Sequence, residues 1–236
     1  MQINITTNLP EFRRAMLRFG SQARFAAAVA LTRTGQDLQK AVPAELRRVL
    51  DNPTDFTTRN STFVLRATKE NLAATVGFKD KQAKYMALQI AGGRRRPGKG
   101  GIKLPGNIQL NAFGNIPRGT IARLKAAAKN GNLGGALAKR INASGTDRRK
   151  GAGAVQLFYG IPQGKGWKNA PMGIWRRIPP STPGGKGKLI PVIVFENTPA
   201  SYRPRFDFAR LAQKTMAEKF STNFDTALRS ALATAR

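Results

Sequence analysis

The sequence predicts an α+β fold: an antiparallel sheet, long N- and C-terminal helices packed on one face, and a Gly/Pro-rich basic insertion. Three observations lead there. Apolar residues recur at helical spacing near both ends of the chain. Short runs rich in β-branched and aromatic residues fall at 62–78, 155–161 and 189–195. Between residues 92 and 188 lie 20 of the 41 basic residues, 21 of the 24 glycines and one acid, Asp147, a net charge of +19 (20 minus 1). The flanks carry +7 over residues 1–91 (14 minus 7) and +3 over 189–236 (7 minus 4), which is ordinary for packed protein. Residues 1–91 and 189–236 therefore read as one scaffold domain. Residues 92–188 read as a loop-rich insertion contributing one strand, at about 155–161.

The elements follow in order. Ile3 and Ile5 alternate with polar residues and open a short strand. Pro10 stands near the first turn of a helix that carries Phe12, Met16 and Phe19, then Phe25, Val29, Leu38 and Val42. Alanines 23, 26, 27, 28 and 30 give it a thin face for close packing. Pro43 suits the first turn of a second, short helix ending before Pro53. The runs 62–68 and 72–78 form a hairpin across Lys69-Glu70-Asn71. A helix over 83–91 ends at Gly92-Gly93, and 94–101 is loop. Helices are expected over 120–129 and 136–141. The runs 155–161 and 189–195 should pair across a long basic loop, 162–188, with Pro191 restricting the second run to an edge or its start. The last helix, capped by Asp207, aligns Leu211, Met216, Phe220, Phe224, Leu228 and Leu232.

Composition excludes much chemistry. There is no histidine and no cysteine, so the commonest general base, thiolate metal sites and disulfides are all missing. Gly160-Ile-Pro-Gln-Gly164-Lys165-Gly166 has the wrong spacing for a phosphate loop and no Ser/Thr after its lysine. The acids are scattered, and Glu196 alone borders a strand. No enzyme activity, cofactor, metal or small-molecule substrate is expected. No run of about 18 apolar residues is present, so no membrane partner is expected, and the start lacks the basic-then-apolar pattern of a leader.

What remains is positive charge. The candidate contact residues are Arg94, Arg95, Arg96, Lys99, Arg148, Arg149, Lys150, Lys165, Lys168, Arg176 and Arg177. They would meet a phosphate backbone, non-specifically and with strong salt dependence, or the acidic surfaces of neighbouring subunits. Tyr159, Trp167 and Trp175 lie among them and would offer stacking platforms for bases.

Three stretches together carry a resemblance. The first is Lys81-Gln-Ala-Lys-Tyr85-Met-Ala-Leu-Gln-Ile90-Ala-Gly92-Gly93-Arg94. The second is Asn111-Ala-Phe-Gly114-Asn115-Ile-Pro117-Arg118-Gly119. The third joins Gly173-Ile-Trp175-Arg176-Arg177 to Ser201-Tyr202-Arg203-Pro204-Arg205-Phe206-Asp207-Phe208 and the helix after it. Together they resemble the minor tail proteins of tailed bacteriophages, the lambda-type minor tail protein Z group, also called tail-completion or head–tail joining proteins. The resemblance implies a non-enzymatic virion component of tail or neck, assembled in the host cytoplasm as a homo-oligomeric ring with other tail and neck proteins. Contact with genomic DNA does not follow from the resemblance; the charge alone suggests it. The alternative expectation is a nucleic-acid-binding or packaging protein acting outside a virion.

Overall fold

A computed structural model describes residues 2–6, 20–131, 135–141, 156–163, 167, 169–178, 180 and 187–234. The chain divides into two compact units, Met1–Arg94 with Ser201–Arg236, and Arg95–Ala200.

In the first unit, β1 (Gln2–Thr6), β2 (Thr62–Leu65) and β3 (Ala73–Phe78) form an antiparallel sheet in the order β1-β3-β2. The β2–β3 hairpin is the expected one, with Val64 opposite Val76 and the turn closed by Thr68 N–H donating to the Asn71 carbonyl. Helix α1 (Ser21–Val49) lies across this sheet, and the short α2 (Asp55–Thr58) follows it. Ala74, Val76 and Phe78 alternate onto the helix-facing side and meet Leu31, Leu38, Val42 and Leu46 in the core.

Helix α1 does not stop at Pro43, where a second helix was expected to begin. Losing the amide that would bond the Gln39 carbonyl costs about 3 kcal/mol. The neighbours Val42 and Leu46 are both fully buried, each stabilising by roughly 1.5–3 kcal/mol. Core burial outweighs the missing bond, so the helix runs through. The part of the expected helix at 12–19 lies outside the described residues.

Helix α3 (Asp80–Ala91) ends on Gly92, whose φ of 70° and close approach to Pro204 Cδ and Tyr202 O (3.0 Å from an added Cβ) leave no room for a side chain. Residues expected as loop then form β4 (Gly93–Arg95), which pairs with β9 (Ala200–Tyr202) where the chain leaves and re-enters the first unit. Helix α6 (Phe208–Ala233) is capped by Asp207, which accepts from Arg210 N–H at 2.9 Å. It packs along α1. Its buried positions are Phe208, Ala212, Thr215, Ala227 and Ala231; of the expected stripe, Leu211, Met216, Phe220, Phe224 and Leu228 are half-buried against the core and Leu232 is 60% exposed. Small residues win the centre because α1 presents alanines there.

The second unit holds β5 (Ile102–Pro105), α4 (Thr120–Asn130), α5 (Gly135–Arg140), β6 (Gln156–Gly160), β7 (Gly173–Ile178) and β8 (Lys188–Glu196). Its strands form a separate antiparallel sheet, ordered β5-β8-β7-β6. Helix α4 closes on Gly131, left-handed at φ 68°, as its sequence foretold. Four expectations change here. The 62–78 hairpin does not share a sheet with the later strands. The 189–195 run belongs to this unit's sheet rather than to the scaffold. The 155–161 and 189–195 runs do not pair, because β7, expected to be loop, lies between them. Pro191 sits in an interior strand. The register slips between Ile174 and Trp175, so Val192 is passed over, and the irregular ladder accommodates a residue without an amide hydrogen. Ile174, Val192, Ile193 and Phe195 pack with Leu124, Ile108 and Ile141 into this unit's own core. Among the described residues no helix is long and apolar enough to cross a membrane.

Candidate interaction surface

The second unit carries 19 basic and 2 acidic residues (+17), and the first carries 22 and 10 (+12), which together give the chain's +29. Ion pairs among the described residues, such as Arg48–Glu45 and Arg205–Asp51 (3.0 Å), fall in the first unit. Among the described residues this unit carries 13 basic side chains and one acid, Glu196, around a core of its own.

Arg94 and Arg95 are exposed on β4, and Arg96 and Lys99 are exposed just after it. Arg148, Arg149, Lys150, Lys165 and Lys168 lie outside the described residues. Arg176 and Arg177 separate, as alternate residues of a strand must. Arg176 is 4% exposed, opposite Leu157 and Ile190, so it does not serve as a surface contact. Arg177 is exposed, with its guanidinium 5.7 Å from the Phe158 ring centroid. The arginine pair hid β7 in the sequence; only the flanking Ile174, Trp175 and Ile178 marked it as strand.

The expected stacking platforms are occupied from within. Trp175 is 3% exposed, lies near-parallel to Phe158 (13° between planes, 6.5 Å between centroids), and meets Trp167 edge-on at 5.4 Å. The Trp175 indole also covers Gly173, where an added Cβ would sit 2.9 Å from Nε1 and 2.7 Å from the Ile193 carbonyl. Tyr159 is 42% exposed, but Lys125 Nζ sits 4.2 Å from its ring centroid and 3.1 Å from its hydroxyl oxygen, and the same ammonium lies 5.1 Å from the Phe195 ring. Lys125, on α4, escaped the sequence reading because one lysine on a helix face looks like any solvated charge. Its spacing to Tyr159 spans 34 residues.

Glu196 caps the turn that follows β8. Its Oε1 accepts the Thr198 backbone N–H at 2.8 Å. That bond, helped by the Thr198 hydroxyl and the Asn197 N–H, holds its carboxyl below the usual value. Among the described residues no three His, Cys, Asp or Glu side chains gather as metal ligands.

The stretches that carry the phage resemblance occupy defined places. Gly92 of the first packs on Tyr202 and Pro204 of the third, whose Phe206 and Phe208 are core residues beside Phe78. The second is a tight turn in which Asn111 Oδ1 accepts the amides of Phe113 and Asn115. Comparison with protein-family models, with curated proteins and with solved structures finds no match to this chain.

Proposed function

We propose that this chain is a structural, non-enzymatic component of a tailed-bacteriophage virion, a tail-completion or neck protein that helps join tail to head. The observation that carries the reading is the second unit, Arg95–Ala200, whose sequence has a net charge of +17 with only two acids and whose described residues form a core of their own. Like charge at that density raises the energy of any isolated body and is relieved beside counter-charge. A ring of such subunits at the junction would meet acidic neighbouring subunits on its outside and genome at its lumen. The three stretches quoted above supply the phage assignment.

The internal use of Trp175, Trp167 and Tyr159 speaks against a module that grips single-stranded nucleic acid by stacking. It favours the assembly reading over a packaging protein acting outside a virion.

The experiment is a nonsense mutation in this gene within the phage that encodes it. Filled heads and finished tails should accumulate unjoined in electron micrographs, and the protein supplied in trans should restore joined particles. Normal yields of joined, infectious particles from the mutant would overturn the proposal. Tight duplex-DNA binding by the free chain, falling steeply with salt, would support the packaging alternative.

A further inference from the structure

A groove in the first unit has a different character from the basic surface. It runs between α1 and the β2–β3 turn and encloses about 570 Å³. Phe25, Val29 and Arg33 line one wall at i, i+4 and i+8 of α1, with Ala28 and Thr32 beside them. Arg66, Ala67, Thr68, Lys69 and Glu70 form the other wall. The Ala67 amide donates to Thr32 Oγ1 at 3.1 Å, which ties strand to helix and fixes the width of the groove. Phe25 is 45% exposed at one end, with Lys69 Nζ 5.4 Å from its ring centroid.

The floor is apolar and the rim is charged. Arg33, Arg66 and Lys69 are exposed cations. The one acid, Glu70, bonds its own backbone amide and the Thr68 hydroxyl, which lower its pKa and turn it into the hairpin turn. The described lining therefore presents +2 (3 minus 1) around an apolar strip that no other described residue covers. A bare phosphate backbone would satisfy the rim but leave the floor wet. A base stacking on Phe25 would first have to displace Lys69. A second copy of this chain, with 41 cations against 12 acids, brings mostly the wrong sign.

We infer that this groove docks an acidic amphipathic helix of a partner protein, its leucine- or phenylalanine-type side chains filling the floor and its carboxylates meeting Arg33, Arg66 and Lys69. Recognition of an amphipathic helix by an apolar groove, with i and i+4 anchors and complementary charge at the rim, is an established physical mode. The inference does not depend on the virion reading.

The test uses the full-length protein and three fluorescein-labelled probes read by anisotropy at near-physiological salt. They are a Glu/Leu amphipathic peptide of about four helical turns, a scrambled peptide of the same composition, and an oligothymidine of equal charge. The amphipathic peptide should bind at least about ten-fold tighter than the scramble, since only it can seat apolar anchors. Phe25→Ala, and separately Arg33→Glu with Arg66→Glu, should each weaken it by about ten-fold or more. Lys219→Glu with Arg229→Glu makes the same charge change on exposed α6 positions and should leave binding within about two-fold, as a screened distant charge would. Thermal melts of each variant establish that it is folded. Equal binding of the scramble, or equal loss in the α6 control, would reduce the effect to bulk charge and overturn the inference. Oligothymidine binding that is lost only in the groove variants would overturn it in favour of a nucleic-acid site.

Discussion

The Asn223 side-chain amide donates to Asp37 Oδ2 at 3.0 Å and to Thr34 Oγ1 at 3.1 Å, tying the middle of α6 to the middle of α1. Thr34 is fully buried, so its hydroxyl depends on such a partner. Asn223→Ala removes both bonds and should cost about 1–3 kcal/mol, because a buried acceptor is left unmade. Urea denaturation should show a lower midpoint with an unchanged slope. Thr34→Val in the Asn223→Ala background should then cost less than Thr34→Val alone, since the two residues share one interaction. Additive costs would mean that the helices are held together by their alanines, with the polar link contributing nothing.

Next to Thr34, Gly35 lets the helix touch the sheet. A Cβ built there would lie 3.2 Å from Val64 Cγ1 and 3.3 Å from Val76 Cγ2. Alanine in a helix interior is intrinsically better than glycine by about 1 kcal/mol. Overpacking against two β-branched side chains costs about 1–3 kcal/mol. Packing should win: Gly35→Ala should lower the melting temperature, and Gly35→Ala with Val64→Ala should recover part of the loss. A melting temperature raised by Gly35→Ala alone would mean that the valines yield easily.

How far the sequence carried differs between the units. In the first, local signals and tertiary packing agree. The Lys69–Asn71 turn, the alternation of Ala74, Val76 and Phe78, the alanine face of α1 and the Asp207 cap were all legible. Pro43 was misread because its penalty is local, while the burial of Val42 and Leu46 that outweighs it is not. In the second unit the signals conflict. Arg176 and Arg177 sit inside a strand, Pro191 sits in an interior one, and β5 is written Ile-Lys-Leu-Pro. Each breaks a local rule that only the neighbouring strands make tolerable. Arg94 and Arg95, expected in a loop, lie on β4, where a strand of three residues leaves too short a run for alternation to show. The Lys125–Tyr159 pair and the α1 groove join residues more than 30 apart, beyond what spacing can reveal.

Trp175 should behave as a core residue. With Trp167→Phe leaving it as the sole indole, emission should be blue-shifted and resist acrylamide, whereas Trp175→Phe should leave a redder, more quenchable Trp167. Trp175→Ala should cost about 3–5 kcal/mol, the usual range for truncating a buried aromatic. Equal quenching of the two single-tryptophan proteins would contradict the packing of Trp167, Trp175 and Phe158.

Because β7 is held on both edges, trypsin should spare the bonds after Arg176 and Arg177 in the folded protein. Proteolysis needs a segment that can open, and opening β7 would break both ladders together. Mass spectrometry of early fragments checks this. An early cut after Arg177 would mean that the sheet frays from β6.

The last prediction concerns acid. Glu196 has its pKa lowered, first by the Thr198 amide, and Glu45 has its pKa lowered, first by the Arg48 guanidinium at 2.5 Å. A carboxyl depressed in the folded state binds its proton more readily when unfolded. Its stabilising contribution is therefore complete above the unfolded value of about 4.5 and disappears as pH falls through the lower, folded value. Glu196→Gln keeps the shape of the side chain but removes the charge that draws on the Thr198 and Asn197 amides. The wild type should thus be more stable than Glu196→Gln near neutral pH, and the difference should shrink steadily below pH about 4.5 as the glutamate becomes neutral like the glutamine. Both residues are on the surface, so the gap should be small and weakly sensitive to salt, because the partner of Glu196 is a backbone amide rather than a cation. Melting curves of the two proteins across that range decide it. A gap that widens towards acid would show that Glu196 acts through repulsion or some contact other than its cap.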